Sequence, residues 1–237
     1  PETGESTEQA PSASPYADAV EARARAEAQD LLAELIDVRE NLETRGALTW
    51  AGEAMNAIAA EATAGDESYR ERAFEEAIGR YETALEQALA IEGTLEGRFQ
   101  EQLDRVDEAI EDFDAATAET ALELAALIDS DAPALEQRRG RLDALPAVQE
   151  AVATASAAEE SGELEAAVNA MRNAQDLDSE HQRVASELAR LEGALRDQRF
   201  NAAMSEGYAA LDARDFARSE SRFRDADRLR PGAALDF

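Results

Sequence analysis

The sequence predicts an all-α fold, an array of antiparallel helix pairs, and three observations carry that prediction. Large apolar residues recur at helical spacings through most of the chain, and no stretch alternates with period two as a half-buried strand would. Residues 163–178 (ELEAAVNAMRNAQDLD) overlay residues 215–230 (DFARSESRFRDADRLR) at an offset of 52. The overlay pairs Leu164 with Phe216, Met171 with Phe223, Ala174 with Ala226 and Leu177 with Leu229, the face a short helix is expected to bury. Finally, the hydrophobic content, 44%, is dominated by Ala, with only 12 aromatic residues among 237 (7 Phe, 4 Tyr, 1 Trp). Small side chains bury little area each, so stability must come from many modest helix–helix contacts in a thin array.

In order along the chain, residues 1–15 are polar, hold three of the six prolines and read as a disordered tether. Ser14 is suited to N-cap a helix with Pro15 at its first position. From Tyr16 to about Ala64 the chain reads as nearly continuous helix, with Gly46 or Gly52 as a kink. The segment 64–68 (AGDES) reads as a turn, followed by a helix over Tyr69–Ile91 with Phe74, Ile78, Tyr81, Leu85 and Leu89 on one stripe. Gly93 and Gly97 weaken the next stretch; Phe99, Leu103, Val106 and Ile110 mark another amphipathic helix, and Asp112-Phe113 restarts the pattern. Ser130-Asp131-Ala132-Pro133 is a stop, and Pro146 is expected to break or kink the helix that begins near Leu135. Residues 147–160, 164–177, about 180–213 and 216–229 complete the set, with Ser179 and Gln182 at capping-box spacing. The expected organisation is the tether, divergent helical repeats over 16–133 and clearer ones over 134–237, as one continuous array.

Charge narrows the function classes. There are 53 acidic residues against 23 basic ones, all Arg, for a net charge of −30. This surface repels phosphate, which argues against nucleic acid and anionic membranes. Self-repulsion of this size opposes compaction unless salt screens it, so the composition reads as adaptation of a halophilic bacterium to salt, with a high-GC genome as the competing explanation for Arg and Ala. Cys is absent, which excludes disulfides and thiol chemistry. No run is long and apolar enough for a membrane-spanning helix, and no signal peptide opens the chain. It starts at Pro1 rather than Met, consistent with an upstream leader or anchor, and a periplasmic or extracytoplasmic setting is favoured over the cytoplasm.

Each short helix is introduced by one device: Gly162-Glu163-Leu164 in one copy and Arg214-Asp215-Phe216 in the other. A third copy reads at Glu111-Asp112-Phe113, 51 residues before Leu164, with Ala116 matching Ala167, and a fourth at Arg72-Ala73-Phe74 with Ala77, Tyr81 and Ala84. Here the chain resembles the tetratricopeptide-repeat family, whose 34-residue unit is a pair of antiparallel helices stacked into a superhelix. In residues 200–233, Gly207, Phe216, Phe223, Ala226 and Pro231 fall at the family's eighth, seventeenth, twenty-fourth, twenty-seventh and thirty-second positions. Residues 148–181 match with Ala155, Gly162, Leu164, Ala167, Met171, Ala174 and Leu177. Departures are Ala151 and Ala203 at the family's tryptophan position, Ser219 at a conserved alanine, and the longer period. An extra 18 residues is five helical turns, so the first helix of each pair lengthens without changing its buried face, and long and short helices should alternate.

The resemblance implies a non-catalytic interaction module whose ligand-facing residues come from the first helix of each pair. These are Asn201, Met204, Tyr208, Leu211 and Asp212 in the last pair, and Gln149, Val152, Ser156, Glu159 and Glu160 in the one before. Tyr208 and Asn201 suit a peptide backbone, with ordinary helix packing as the other reading of Tyr208. The partner is expected to be a protein or peptide. The basic residues that clamp a C-terminal carboxylate in some members are missing. Six Arg against four acids over 214–230 make that segment locally positive, with Arg214, Arg218 and Arg222 on one face. They either dock an acidic partner or another copy, or pair with the neighbouring acidic helix. His181, the single histidine, reads as an exposed residue near a helix start, and the carboxylate clusters as solvated surface. No catalytic motif, metal loop or cofactor loop is present, so no cofactor is expected. The alternative function is a structural bundle or coiled coil acting by self-association. A hydrolase using a carboxylate pair is the third class.

Overall fold

The computed structural model describes residues 15–232. Among them there are helices and turns but no strand. The helices are α1 (Pro15–Thr44), α2 (Ala47–Trp50), α3 (Gly52–Arg70), α4 (Phe74–Glu92), α5 (Leu95–Glu111), α6 (Ala115–Ile128), α7 (Pro133–Glu160), α8 (Leu164–Leu177), α9 (Gln182–Asp212) and α10 (Phe216–Leu229). The expected tether and the Ser14 cap lie outside the described residues, except that Pro15 belongs to α1.

The chain divides into two compact units. One takes residues up to Gln102 with Glu123–Ala132, and the other takes Leu103–Leu122 with Pro133 onward, so α5 and α6 are shared between them. In the first unit α4 packs against both α1 and α3. Leu35, Leu42, Met55, Ile58 and Tyr81 are fully or almost fully buried there. In the second unit α7 packs on α8, α8 on α9 and α9 on α10. Its core is Val148, Ala151, Ala155, Ala167, Val168, Met171, Ala174, Val184 and Leu191. Long and short helices do alternate in this unit: α7, α8, α9 and α10 have 28, 14, 31 and 14 residues.

Four junctions are built alike. Arg72, Phe113, Gly162 and Arg214 each take a left-handed φ between 60° and 77°. The amide of the residue after each reaches five residues back, Ala73 to Ser68 O, Asp114 to Ala109 O, Glu163 to Ala158 O and Asp215 to Ala210 O, at 2.8 to 2.9 Å. This is the hydrogen-bond pattern of a Schellman stop, which satisfies carbonyls that a helix end leaves free. Asp114 and Asp215 then cap the following helix, accepting from the amides of Thr117 at 3.1 Å and Arg218 at 3.2 Å. The junctions fall 41, 49 and 52 residues apart, counted from 72, 113, 162 and 214. The helix pairs between them have 19 and 17, 14 and 28, and 14 and 31 residues, so the change in spacing falls mostly on the second helix of each pair. The turn at 111–113 is in a different register from the one expected. Phe113 is the turn residue equivalent to Gly162, not the first residue of the short helix, because Ala118 rather than Ala116 is the buried alanine.

Several expectations are corrected. The segment 64–68 is not a turn: α3 runs through it to Arg70. Gly65 serves a close approach instead, since a Cβ there would lie 2.5 Å from the Tyr81 ring. Gly207 does the same for Phe223 at 2.7 Å, again sixteen residues on. Pro146 does not break the chain, and α7 continues through it. The proline sits on the exposed face while Leu145, Val148, Ala151 and Ala155 form one buried stripe that holds the helix. The break near Gly46 is real, with φ 73° at Gly46 and a single turn of helix before α3 starts at Gly52.

Burial of the overlaid face is uneven. Met171, Ala174 and Ala226 are buried and Leu164, Phe223 and Leu229 half-buried, but Phe216 is 65% exposed and Leu177 is exposed too. Leu164 shares a hollow with Leu195, Gln198 and Arg199 of α9. Among the described residues no helix follows α10 to do this for Phe216. On α4, Leu89 also faces solvent, at the end of an otherwise buried stripe.

Candidate functional site

The second unit holds both the residues expected to face a ligand and a cluster of charge that sequence reading missed. A cavity of about 230 Å³ opens among Phe113, Val152, Ser156, Met171, Arg183, Val184 and Glu187. Its walls come from four places in the chain: the turn after α5, the exposed-to-half-buried side of α7, the middle of α8 and the first turns of α9. Val152 and Ser156 are two of the positions expected to face a ligand, and Gln149 adjoins them by holding the turn, its Nε2 donating to Phe113 O at 3.0 Å. Ser156 Oγ donates to Val152 O at 3.1 Å, so its hydroxyl proton is used within the helix while its lone pairs stay available. The lining residue Glu187 pairs with Arg190, which also reaches Glu159 of α7, each at 2.5 Å. Those hydrogen bonds hold the Glu187 carboxyl below its ordinary pKa.

Phe113 is the hinge of this arrangement. Its ring stacks on His181 with centroids 4.6 Å apart, and the Arg183 guanidinium lies over it at 5.9 Å. Arg183 in turn meets Asp112 at 2.5 Å. A large aromatic in a left-handed turn position is costly and rarely chosen. Its neighbours show what it does here, since one face of the wall would be missing without it.

Behind Phe113 the N-terminus of α9 is seated on α5 by one carboxylate. Glu111 accepts from the amides of Gln182 at 2.9 Å and Arg183 at 3.1 Å. A helix start leaves amides unsatisfied and carries partial positive charge, so an anion is favoured at that point. The expected Ser179–Gln182 capping box does not form: His181 is the N-cap residue, without a side-chain cap, and Glu111 fills that role from a distant helix. Arg141 of α7 ties the cluster together, reaching Asp178 at 3.0 Å, Asp107 at 3.2 Å and Glu111 at 3.5 Å while only 12% exposed. Arg138 adds a 2.6 Å pair to Asp107, and Asp178 Oδ1 accepts from the Glu180 amide at 3.1 Å.

His181 corrects an expectation outright, being fully buried rather than exposed. Its Nδ1 lies 3.1 Å from Glu111 Oε2 but without hydrogen-bond geometry, and Nε2 has no partner. Burial lowers its pKa below the usual histidine value, with Arg141 and Arg183 adding to the effect and Glu111 and Asp178 opposing it. Nothing in the local sequence signals this, because the acidic partner comes from seventy residues earlier.

The other expected site residues lie on α9 and α10. Asn201, Tyr208 and Asp212 are exposed along α9, and Met204 is half-buried. The Tyr208 ring meets Phe223 edge-on at 5.2 Å. Arg218 and Arg222 both turn toward Glu206 of α9, at 4.0 and 2.9 Å, so the charged face of α10 engages its acidic neighbour. Phe113, Met171, Arg183, Val184 and Glu187 were not anticipated as lining residues. Among the described residues no group of three or more acidic or histidine side chains converges as a metal site requires, and no helix is long and apolar enough to cross a membrane.

No protein-family model matches this chain, no curated protein matches it, and no solved structure matches it. What the site can do therefore rests on its own geometry. That geometry offers an apolar-walled hollow with a polar rim, suited to receiving a side chain.

Proposed function

We propose that the chain is a non-catalytic protein-interaction module, a tetratricopeptide-like array of helix pairs that holds a protein or peptide segment against α7 and α9. The observation that carries this reading is the cavity at Val152 and Ser156, two positions that the family resemblance assigns to ligand contact. A volume of about 230 Å³ accommodates one apolar side chain, and Ser156, Arg183 and Glu187, the polar residues of its lining, are placed to orient a backbone. The shared turns and the Gly65–Tyr81 and Gly207–Phe223 approaches support the same reading, since close small-to-aromatic packing sixteen residues apart fits the family's eighth and twenty-fourth positions. The salt-adapted, extracytoplasmic setting belongs to this proposal as well.

The test is a selection of peptides from a random display library, with binders measured by calorimetry. Ser156→Trp fills the hollow from an exposed position and should weaken selected peptides at least tenfold. Thr154→Trp, exposed on the other side of α7, should leave them unchanged. No selectable peptide, or binding indifferent to Ser156→Trp, overturns the proposal. Phe216, 65% exposed, favours self-association as the second reading. Light scattering that shows an oligomer growing with concentration in the absence of any ligand would put that reading first.

A further inference from the structure

His181 is the one histidine of the chain. It is fully buried at the start of α9, and the groove does not use it. Burying an imidazole with neither ring nitrogen in a hydrogen bond is costly, so the site is one where a proton would matter. The charges around it come from every element packed there. They are Asp107 and Glu111 of α5, Asp112 in the next turn, Arg138 and Arg141 of α7, Asp178 and Glu180 between α8 and α9, and Arg183 of α9.

The carboxylates closest to the ring are already committed. Glu111 accepts from two α9 amides and meets Arg141, and Asp178 places both oxygens on Arg141 Nε at 3.0 and 3.1 Å. Asp107 is held by Arg138 and Arg141, Asp112 by Arg183 and Glu180 by Gln137. A proton on His181 would face Glu111 Oε2, 3.1 Å from Nδ1, but that carboxylate is already shared with two amides and Arg141, and the full burial of the ring is what opposes the charge. The neutral ring, by contrast, is accommodated by stacking on Phe113.

We propose that His181 is a proton-operated latch: neutral, it seats the turn between α8 and α9 against Phe113 and the end of α5, and protonated, it leaves that seat and loosens the first turn of α9. Arg183 and Val184 lie in that turn and line the cavity, so loosening reshapes the groove wall. The sign follows from linkage. The closed state holds fewer protons than the open one, so opening is favoured as pH falls below the ordinary histidine value near 6.5 and is suppressed above it.

The experiment is nuclear magnetic resonance on the full chain, with no ligand, from pH 7.5 to 5.0. The single imidazole signal reports protonation, and amide exchange corrected for its intrinsic pH dependence reports opening. Protection at Gln182 and Arg183 should fall at least tenfold in step with imidazole protonation, while amides of α10 keep theirs. His181→Gln, which cannot titrate, should hold its protection constant over the same range. Titration of the wild-type imidazole with no loss of protection overturns the latch, as does loss of protection that precedes protonation or persists in His181→Gln. The wild-type measurement decides the matter even if the variant fails to fold.

Discussion

Glu111 does three jobs with one carboxylate: it caps α9 through two amides, meets Arg141 and faces His181. Its side chain is 26% exposed, so it is neither a free surface charge nor a fully desolvated one. Removing it strips a helix cap and leaves Arg141 with one acid fewer, which together cost about 2–4 kcal/mol. Glu111→Ala should lower stability by that amount in urea titration, and an effect below about 0.5 kcal/mol would show that water substitutes for the carboxylate. The neutral histidine beside it gives the chain an acid-sensitive stability. Because the folded pKa lies below the unfolded value, this contribution is present above about pH 6.5 and is lost as pH falls through the window beneath it. Denaturation midpoints at pH 7.5 and 5.5 should differ in that direction, and by less in His181→Gln.

At the scale of the element, glycine separates two kinds of position that the sequence writes identically. Gly65 and Gly207 sit under aromatic rings, where a Cβ would come within 2.5 and 2.7 Å of Tyr81 and Phe223. Alanine at either place should destabilise by about 1–3 kcal/mol as the ring is pushed from its seat. Gly140, inside α7, has nothing within 4 Å of its missing Cβ. There alanine should stabilise by about 0.5–1 kcal/mol, because glycine costs entropy in a helix interior. Melting temperatures of Gly207→Ala and Gly140→Ala should therefore move in opposite directions, and shifts of the same sign would refute the packing argument. The Tyr81 hydroxyl, buried and donating to Asp66 at 2.7 Å, has its pKa pushed up by burial and by that carboxylate, and it marks the first-unit site where glycine and aromatic meet.

For the whole molecule the controlling quantity is net charge. At −30 over 237 residues, the compact state works against its own field, and screening relieves it. The Debye length falls from about 10 Å at 0.1 M to about 3 Å at 1 M, comparable to contact distances. Thermal stability should rise as NaCl is increased across that range. Surface pairs such as Arg172–Glu192 and Arg199–Glu165 weaken under the same screening, but each exposed pair contributes only about 0–1 kcal/mol. A melting temperature that stays flat or falls with salt would leave genome composition as the source of the acidic surface.

The family resemblance supplied the alternation of long and short helices and the choice of Val152 and Ser156; the sequence by itself determined what local physics controls, the all-helical class and the bounds of α8 and α10. Each follows from a 3.6-residue period, a turn signal or a stop within a few residues. Tertiary structure decided what depends on partners far along the chain. Gly65 reads as a turn until Tyr81 packs on it, Pro146 reads as a break until the Leu145–Ala155 stripe is buried, and His181 reads as exposed until Glu111 and Phe113 arrive from α5. The reason is common to all three. A residue's own preferences are worth about a kilocalorie or a few, and burial against a neighbour not adjacent in sequence outweighs them.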